Sequence, residues 1–334
     1  MNNPVLVEIT RGAVVESRHR GAVAVVDASG ATVFSVGDVA RPVFPRSAVK
    51  AFQALPLIES GAADRYNLSA SELALAVASH SGEPRHADLA AGVLAKAGRD
   101  VNCLECGAHW PLNEEVARDL AASGAKPSAL HNNCSGKHAA FVCLACHLGE
   151  DPAGYVQAEH RVQREVKAAL ESMTGTTLGD DMRGTDGCAI PTYAIPIAAL
   201  AAGFARFGSG VGMDQDRVRA ASRIRAAVAA QPWAVAGKDR LDTVLMELFG
   251  QRVFMKTGAE GVYCAALPEL GLGIALKVDD GAKRAAECIM AALLGRYLEL
   301  SDAEHAGLEP HVRQTQRNWN GADVGATRPA GALA

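Results

Sequence analysis

The residues best suited to chemistry come in two short strings. They are Arg46-Ser47-Ala48-Val49-Lys50 and, far downstream, Lys256-Thr257-Gly258. A serine hydroxyl is a weak nucleophile at neutral pH and needs a base to take its proton. Positions three apart share a helix face, so Ser47 and Lys50 can touch if the first string opens a helix. A lysine buried beside other cations loses its proton more readily, and the neutral amine then serves as the base. A helix N-terminus also favours developing negative charge. Ser-x-x-Lys alone is common by chance, so its weight depends on what accompanies it.

The second string supplies company, because a Lys-Thr-Gly leaving an apolar strand after a Ser-x-x-Lys helix is the pairing of serine acyl-enzymes of the penicillin-recognising kind. Two further polar strings interrupt apolar segments. In Ala78-Ser79-His80-Ser81-Gly82-Glu83, Ser79 is a second candidate hydroxyl, while Ser81 with Glu83 reads equally well as a helix cap. Asn132-Asn133-Cys134-Ser135-Gly136-Lys137-His138 and Gly184-Thr185-Asp186-Gly187-Cys188 are loop signals of the sort that line sites. Their Cys134, Cys188 and His138 suit a soft or borderline metal such as zinc, although the spacing is not that of a zinc ribbon. Cys103-x-x-Cys106 and Cys143-x-x-Cys146-His147 match metal or haem patterns on paper. The second lies in an apolar helical run, so its cysteines read as small core residues.

These strings need elements to position them. Val-rich runs at residues 5–10, 21–27 and 32–36 read as strands, the last two as a hairpin around Ser29-Gly30. The polar residues 16–20 have no assignment from the pattern. Residues 46–60 have a helical period kinked near Pro56, and 69–128 is Ala- and Leu-rich with helical periods and a cap at Ser69 or Ser71 with Glu72. Helices are expected at 138–149, 154–173, 214–230, 239–249 and 283–299, and strands at 252–256, 261–266 and 273–278. The polar tail after residue 309 is expected to pack loosely. Strands at both ends and helices between them predict an α/β (α+β) fold with one antiparallel sheet built from both termini. Residues 1–45 and 190–334 would form the sheet-containing lobe, residues 46–189 a mainly helical lobe, and the active site the cleft between them.

Composition narrows the function. The chain has 334 residues, and its 33 Lys plus Arg against 37 Asp plus Glu leave a net charge of −4, so no basic surplus exists for nucleic acid. Aromatics at 5% argue against base-stacking platforms. No apolar run reaches the roughly 18 residues of a membrane span, and no secretory signal opens the chain. Eight cysteines without an export signal read as reduced thiols or metal ligands, and a cytoplasmic enzyme is expected.

Taken jointly, the strings carry a resemblance. The sequence resembles the Rhizobium etli-type L-asparaginases, the asparaginase II family, over nearly its whole length. The matching blocks are Val-Glu-Ile-Thr-Arg-Gly and Glu-Ser-Arg-His-Arg-Gly, Arg46–Lys50, Ser79–Glu83, Cys106-Gly107-Ala108-His109, Asn132–His138, Gly184–Cys188, Lys256–Gly261 and Asn318-Trp319-Asn320-Gly321. The resemblance implies a fold similar to serine β-lactamases and glutaminases, a homodimer, and hydrolysis of L-asparagine to L-aspartate and ammonia. It places one Ser–Lys pair at Ser47 and Lys50 and another at Ser79 and Lys256. It puts a supportive zinc ion on Cys134, Lys137 and Cys188 with Asp186 alongside, and Arg46, His138 and Asp186 near the substrate. No Ser-Asp-Asn follows Ser79, a departure from true β-lactamases. The competing expectations are a glutaminase or other serine acyl-enzyme, since one methylene shifts discrimination by only about 1–3 kcal/mol, and a non-catalytic zinc or thiol sensor built on Cys103, Cys106, Cys134 and Cys188.

Overall fold

The computed structural model describes residues 3–334. Its strands are β1 (Val5–Arg11), β2 (Val14–Asp27), β3 (Thr32–Val36), β4 (Pro42–Val43), β5 (Arg183–Thr185), β6 (Pro191–Tyr193), β7 (Ile195–Pro196), β8 (Phe254–Gly258), β9 (Val262–Leu267), β10 (Leu272–Val278), β11 (Gln314–Arg317) and β12 (Asp323–Pro329). Eight of them form one antiparallel sheet in the order β11-β12-β1-β2-β10-β9-β8, with β3 also on β2. Both ends of the chain thus build one sheet, and helices fill the middle, giving the mixed α and β class expected from the sequence.

The strand β2 explains the unassigned polar stretch. Its first half pairs with β1, as in Glu8 opposite Arg18, and its second half pairs with β10, as in Ala24 opposite Ala275. The burial pattern changes along it, from alternating exposure at residues 14–18 to an unbroken buried run at residues 21–26. Only the second half is covered on both faces, so only that half has the continuous apolar signature of a strand buried on both sides. The helix Ile197–Ser209 provides part of that cover: a side chain at Gly273 of β10 would collide with the carbonyl of Ala201.

The tail departs from expectation. Residues beyond 309 complete the helix Asp302–Val312 and then form the β11–β12 hairpin, which joins the sheet through β1 with Ile9 opposite Thr327. Thr327 is fully buried, and Arg328 reaches Glu8 at 3.0 Å. Polar composition indicated looseness here, but β-pairing uses backbone groups that every residue carries. Among the described residues no helix is long and apolar enough to cross a membrane.

Candidate active site

Pro45 leads into a single 3-10 turn, Arg46–Val49, followed by the short helix Lys50–Gln53 and then Leu55–Glu59. The expected continuous helix is therefore three short pieces. Arg46 sits at φ 53°, a left-handed conformation that a side chain disfavours, so the entry to Ser47 is strained. Lys50 is buried, and its Nζ donates to the Ala78 carbonyl, to Ser79 Oγ at 3.1 Å and to Cys134 Sγ at 3.1 Å. No Lys50–Ser47 hydrogen bond is formed among the described residues. The spacing of Ser47 and Lys50 puts them on one turn, and the long lysine stem carries the ammonium on to the second serine.

Ser79 lies just past the helix Ala70–Ala76, whose Ser69–Glu72 capping box matches the sequence signal. Its segment is pinned from three sides: Ser79 N–H to the Val235 carbonyl (2.9 Å), His80 N–H to the Asn133 carbonyl (3.2 Å), and Ser81 Oγ to the Ala236 carbonyl (2.6 Å). Ser81 therefore anchors the end of the distant helix Pro232–Ala236 instead of capping the helix Pro84–Lys96, whose N-cap is Glu83. His80 Nδ1 accepts from Gly82 N–H (3.1 Å), which leaves the proton on Nε2 to donate to Ser135 Oγ at 2.9 Å. Burial, with His86 next to it, holds the His80 pKa well below the usual value, so the ring is a neutral strut.

Lys256 arrives on β8. Burial lowers its pKa to about 7, with the charge of Lys50 adding to the effect and Asp242 opposing it. Its Nζ donates to the Thr257 carbonyl at 2.9 Å. Asp242 in turn accepts from Thr257 N–H (2.9 Å) and from the Tyr263 hydroxyl (2.8 Å), which fixes the strand end. A side chain at Gly258 would strike the Pro45 carbonyl, so this glycine lets β8 close against the turn that carries Ser47.

Behind the serines lies a cluster of thiols and lysines. Cys134 is the N-cap of the helix Ser135–Leu148, Lys137 lies in its first turn, and Lys137 Nζ donates to Cys188 Sγ at 3.0 Å. The Cys134 thiol is held well below its usual range by a hydrogen bond from Cys188 and by the charges of Lys50 and Lys137, against burial. Cys188 is pushed up by the same hydrogen bond and by burial, so the two thiols share one proton as a pair. Lys137 is raised although burial opposes it, because Cys188 and Cys134 favour its charge. Among the described residues no group of three or more His, Cys, Asp or Glu side chains could hold a metal ion. The two sulfurs converge with one amine, however, and this donor set suits a borderline metal if Lys137 is deprotonated.

Arg46 and Asp186 meet each other, with Arg46 Nε 2.8 Å from Asp186 Oδ1. Burial alone would raise the Asp186 pKa, but Lys137 and Arg46 lower it. His138 is fully buried with Nδ1 2.6 Å from the Tyr155 hydroxyl and Nε2 unpartnered. Burial, reinforced by Lys137 and Lys50, keeps it neutral. A cavity of about 200 Å³ opens above the lysines, lined by Ser47, Ser79, Asn133, Arg240, Thr257 and Glu260 among others. The two serines thus share one opening, while Arg46, His138 and Asp186 are not among its lining residues. Sequence reasoning had not singled out Arg240 or Glu260. Arg240 closes a polar string, Gly237-Lys238-Asp239-Arg240, between two apolar helices, the same kind of loop signal that pointed to Asn132–His138. Of the other thiols, Cys106 is buried near enough to Cys134 for that thiol to add to burial in raising its pKa, Cys143 is buried in its helix, and all eight cysteines are free.

No curated protein matches the sequence. Solved structures similar to the chain include a β-lactamase from Mycobacterium bovis, with 15% identity, 83% of this chain and 94% of that chain covered, and a TM-score of 0.41. Another is a β-lactamase/D-alanine carboxypeptidase from Pseudomonas syringae, with 14% identity, 84% and 94% covered, and a TM-score of 0.44. The family profile described as L-asparaginase II matches residues 7–329. That match spans both serines, Lys50, Lys256 and the thiol cluster, and the chain belongs to the L-asparaginase II family.

Proposed function

We propose that this amidohydrolase acts on L-asparagine through a serine acyl-enzyme. The observation that carries the reading is the opening of Ser47 and Ser79 into one cavity beside two buried lysines. Ser47 Oγ attacks the side-chain carboxamide carbon. The C–N bond then breaks, ammonia leaves with the serine proton, and an aspartyl ester remains on Ser47. Water hydrolyses that ester to L-aspartate and regenerates the hydroxyl. Lys50, bonded to Ser79, and Lys256, poised near neutrality, form the proton-handling pair. Backbone amides of the Arg46–Val49 turn are the candidate donors to the oxyanion.

Zinc belongs to the proposal as a supporting ion held by Cys134, Lys137 and Cys188. When bound it would supply a fixed positive charge to the wall beside Lys50. Lys137 must release its proton to serve as a ligand, so affinity falls as pH drops. The Arg46–Asp186 pair braces this wall, and His138 holds it through Tyr155. Strong chelation is expected to raise KM for asparagine more than it lowers kcat. Abolished kcat at unchanged KM contradicts the supporting role. A cytoplasmic location suits eight free cysteines, and the proposed assembly is a homodimer, checked by light scattering.

The test is ammonia release from L-asparagine and, separately, from L-glutamine, with Ser47→Ala as the comparison. Release from asparagine that falls at least about a thousandfold in the mutant is expected. Preferential release from glutamine reassigns the substrate. No release from either amide, with tight zinc binding, favours the sensor reading.

A further inference from the structure

The cavity above the serines has a charge pattern that the chemistry of bond breaking does not use. An α-amino acid presents a carboxylate and an ammonium, so a site for one needs a free cation and a free anion on its walls. Arg46 and Asp186 cannot supply them while they neutralise each other at 2.8 Å. Lys283 also lines the cavity, but it is paired with Glu287 at 3.3 Å. Arg240 is different. Among the described residues its side chain makes no ion pair and no hydrogen bond, and its Nε is buried without a partner. A guanidinium left so in a folded protein is a donor waiting for an acceptor. Glu260 stands on the same cavity. Its backbone carbonyl takes Lys277 Nζ, while its carboxylate has no ion pair among the described residues.

Backbone strain marks the same two places. Among the described residues five non-glycine positions have positive φ, and four of them border the site. Arg46 (53°) precedes Ser47, Ala189 (73°) follows Cys188, Asp239 (59°) precedes Arg240, and Glu260 (60°) is itself a lining residue. Strain persists where surrounding contacts over-determine it, and here they do. Lys238 N–H donates to Glu83 Oε1 at 2.9 Å, and Thr243 Oγ1 donates to the Gly237 carbonyl at 2.7 Å, holding the loop that delivers Arg240. A side chain on Gly281 would lie 2.7 Å from Glu260 Oε2, so that glycine leaves the carboxylate its room. A volume of about 200 Å³ is below the roughly 300–1,000 Å³ of pockets for larger ligands and suits a single amino acid.

We propose that Arg240 and Glu260 are the specificity-determining pair, Arg240 gripping the α-carboxylate and Glu260 the α-ammonium of the substrate. This rests on the amidohydrolase reading and deepens it, because the pair restricts turnover to free α-amino acid amides. It places those two contacts on Arg240 and Glu260, whereas the family resemblance puts Arg46 and Asp186 near the substrate.

The experiment compares wild type, Arg240→Ala, Arg240→Lys and Glu260→Gln on L-asparagine, its α-methyl ester and N-acetyl-L-asparagine. Wild type is expected to prefer L-asparagine to both masked forms. Arg240→Ala raises KM for L-asparagine roughly 10- to 100-fold with kcat changed less than about threefold, and Arg240→Lys recovers part of the loss. Arg240→Ala also loses the preference over the methyl ester but keeps that over the N-acetyl form, and Glu260→Gln does the reverse. Unchanged KM and unchanged preferences in folded variants overturn the proposal while wild-type turnover leaves the amidohydrolase reading intact. Calorimetry with L-aspartate scores the pair separately, even in a protein that hydrolyses neither amide. Binding by wild type that is lost in Arg240→Ala supports it, whereas equal binding, or none by wild type, overturns it.

Discussion

Lys256 is the residue whose environment makes the sharpest prediction. A buried lysine at about 7 is half neutral near physiological pH, and only the neutral amine accepts a proton. kcat/KM for asparagine should therefore rise with pH and level off above about 7, and Lys256→Met should flatten that limb along with lowering the rate. A wild-type profile flat from about pH 5.5 to about pH 8 removes Lys256 from proton transfer. At this scale much was legible. Ser47, Lys50, Ser79, Lys256, Cys134, Lys137 and Cys188 all stand in strings whose residue types advertise chemistry. Their partners were not legible, because Lys50 with Ser79, Arg46 with Asp186 and Lys137 with Cys188 are joined across 29, 140 and 51 residues. A helical spacing rule sees only the three-residue neighbour and therefore pointed Lys50 at Ser47.

Elements position these residues through close approaches that tolerate little. Gly136 faces the helix Ala70–Ala76, and an added Cβ would meet the side chain and carbonyl of Leu75. Gly136→Ala is expected to cost about 2 kcal/mol in urea unfolding, as overpacking does, and to displace Cys134 and Lys137, weakening the zinc binding proposed for them. Unchanged stability would mean the two helices separate freely. A second device is the column His80–His86–Trp233, with ring centroids 4.7 and 4.0 Å apart, which ties the Ser79 segment to the helix Pro232–Ala236. Burial lowers the His86 pKa to about 4, against about 6.5 in an unfolded chain. Between those values the unfolded chain takes up a proton that the native ring refuses. This contribution is therefore present above pH 6.5 and lost as pH falls toward 4, on the order of 3 kcal/mol. Urea midpoints followed by tryptophan fluorescence should fall from pH 7 to pH 5, and His86→Phe should weaken that dependence. The Ser81–Glu83 string shows why elements were only partly readable. Serine, then glutamate and proline, is what a helix start looks like, yet Ser81 and Glu83 are spent on Ala236, Trp233 and Lys238.

At the scale of the whole molecule, one sheet is assembled from both ends of the chain and its far edge carries Lys256. The C-terminal hairpin belongs to that sheet, so deleting residues 313–334 should uncover β1, lower the melting temperature by several degrees or more and promote aggregation through the bare edge. A truncated protein that melts like the full chain would mean the hairpin is dispensable. The antiparallel sheet was foreseeable from Val-rich runs at the two ends, whereas its last two strands, Gln-Thr-Gln-Arg and Asp-Val-Gly-Ala-Thr-Arg-Pro, lack the apolar alternation that announces a strand. The proposed chemistry turns on which atom opens the carboxamide. Protein turning over L-asparagine can be quenched in acid, digested and analysed by mass spectrometry, with Lys256→Met used to slow release of the ester. An aspartyl group on the peptide containing Ser47 is the predicted result. The same group on Ser79 or Cys134 instead would contradict the assignment of Ser47 as the nucleophile.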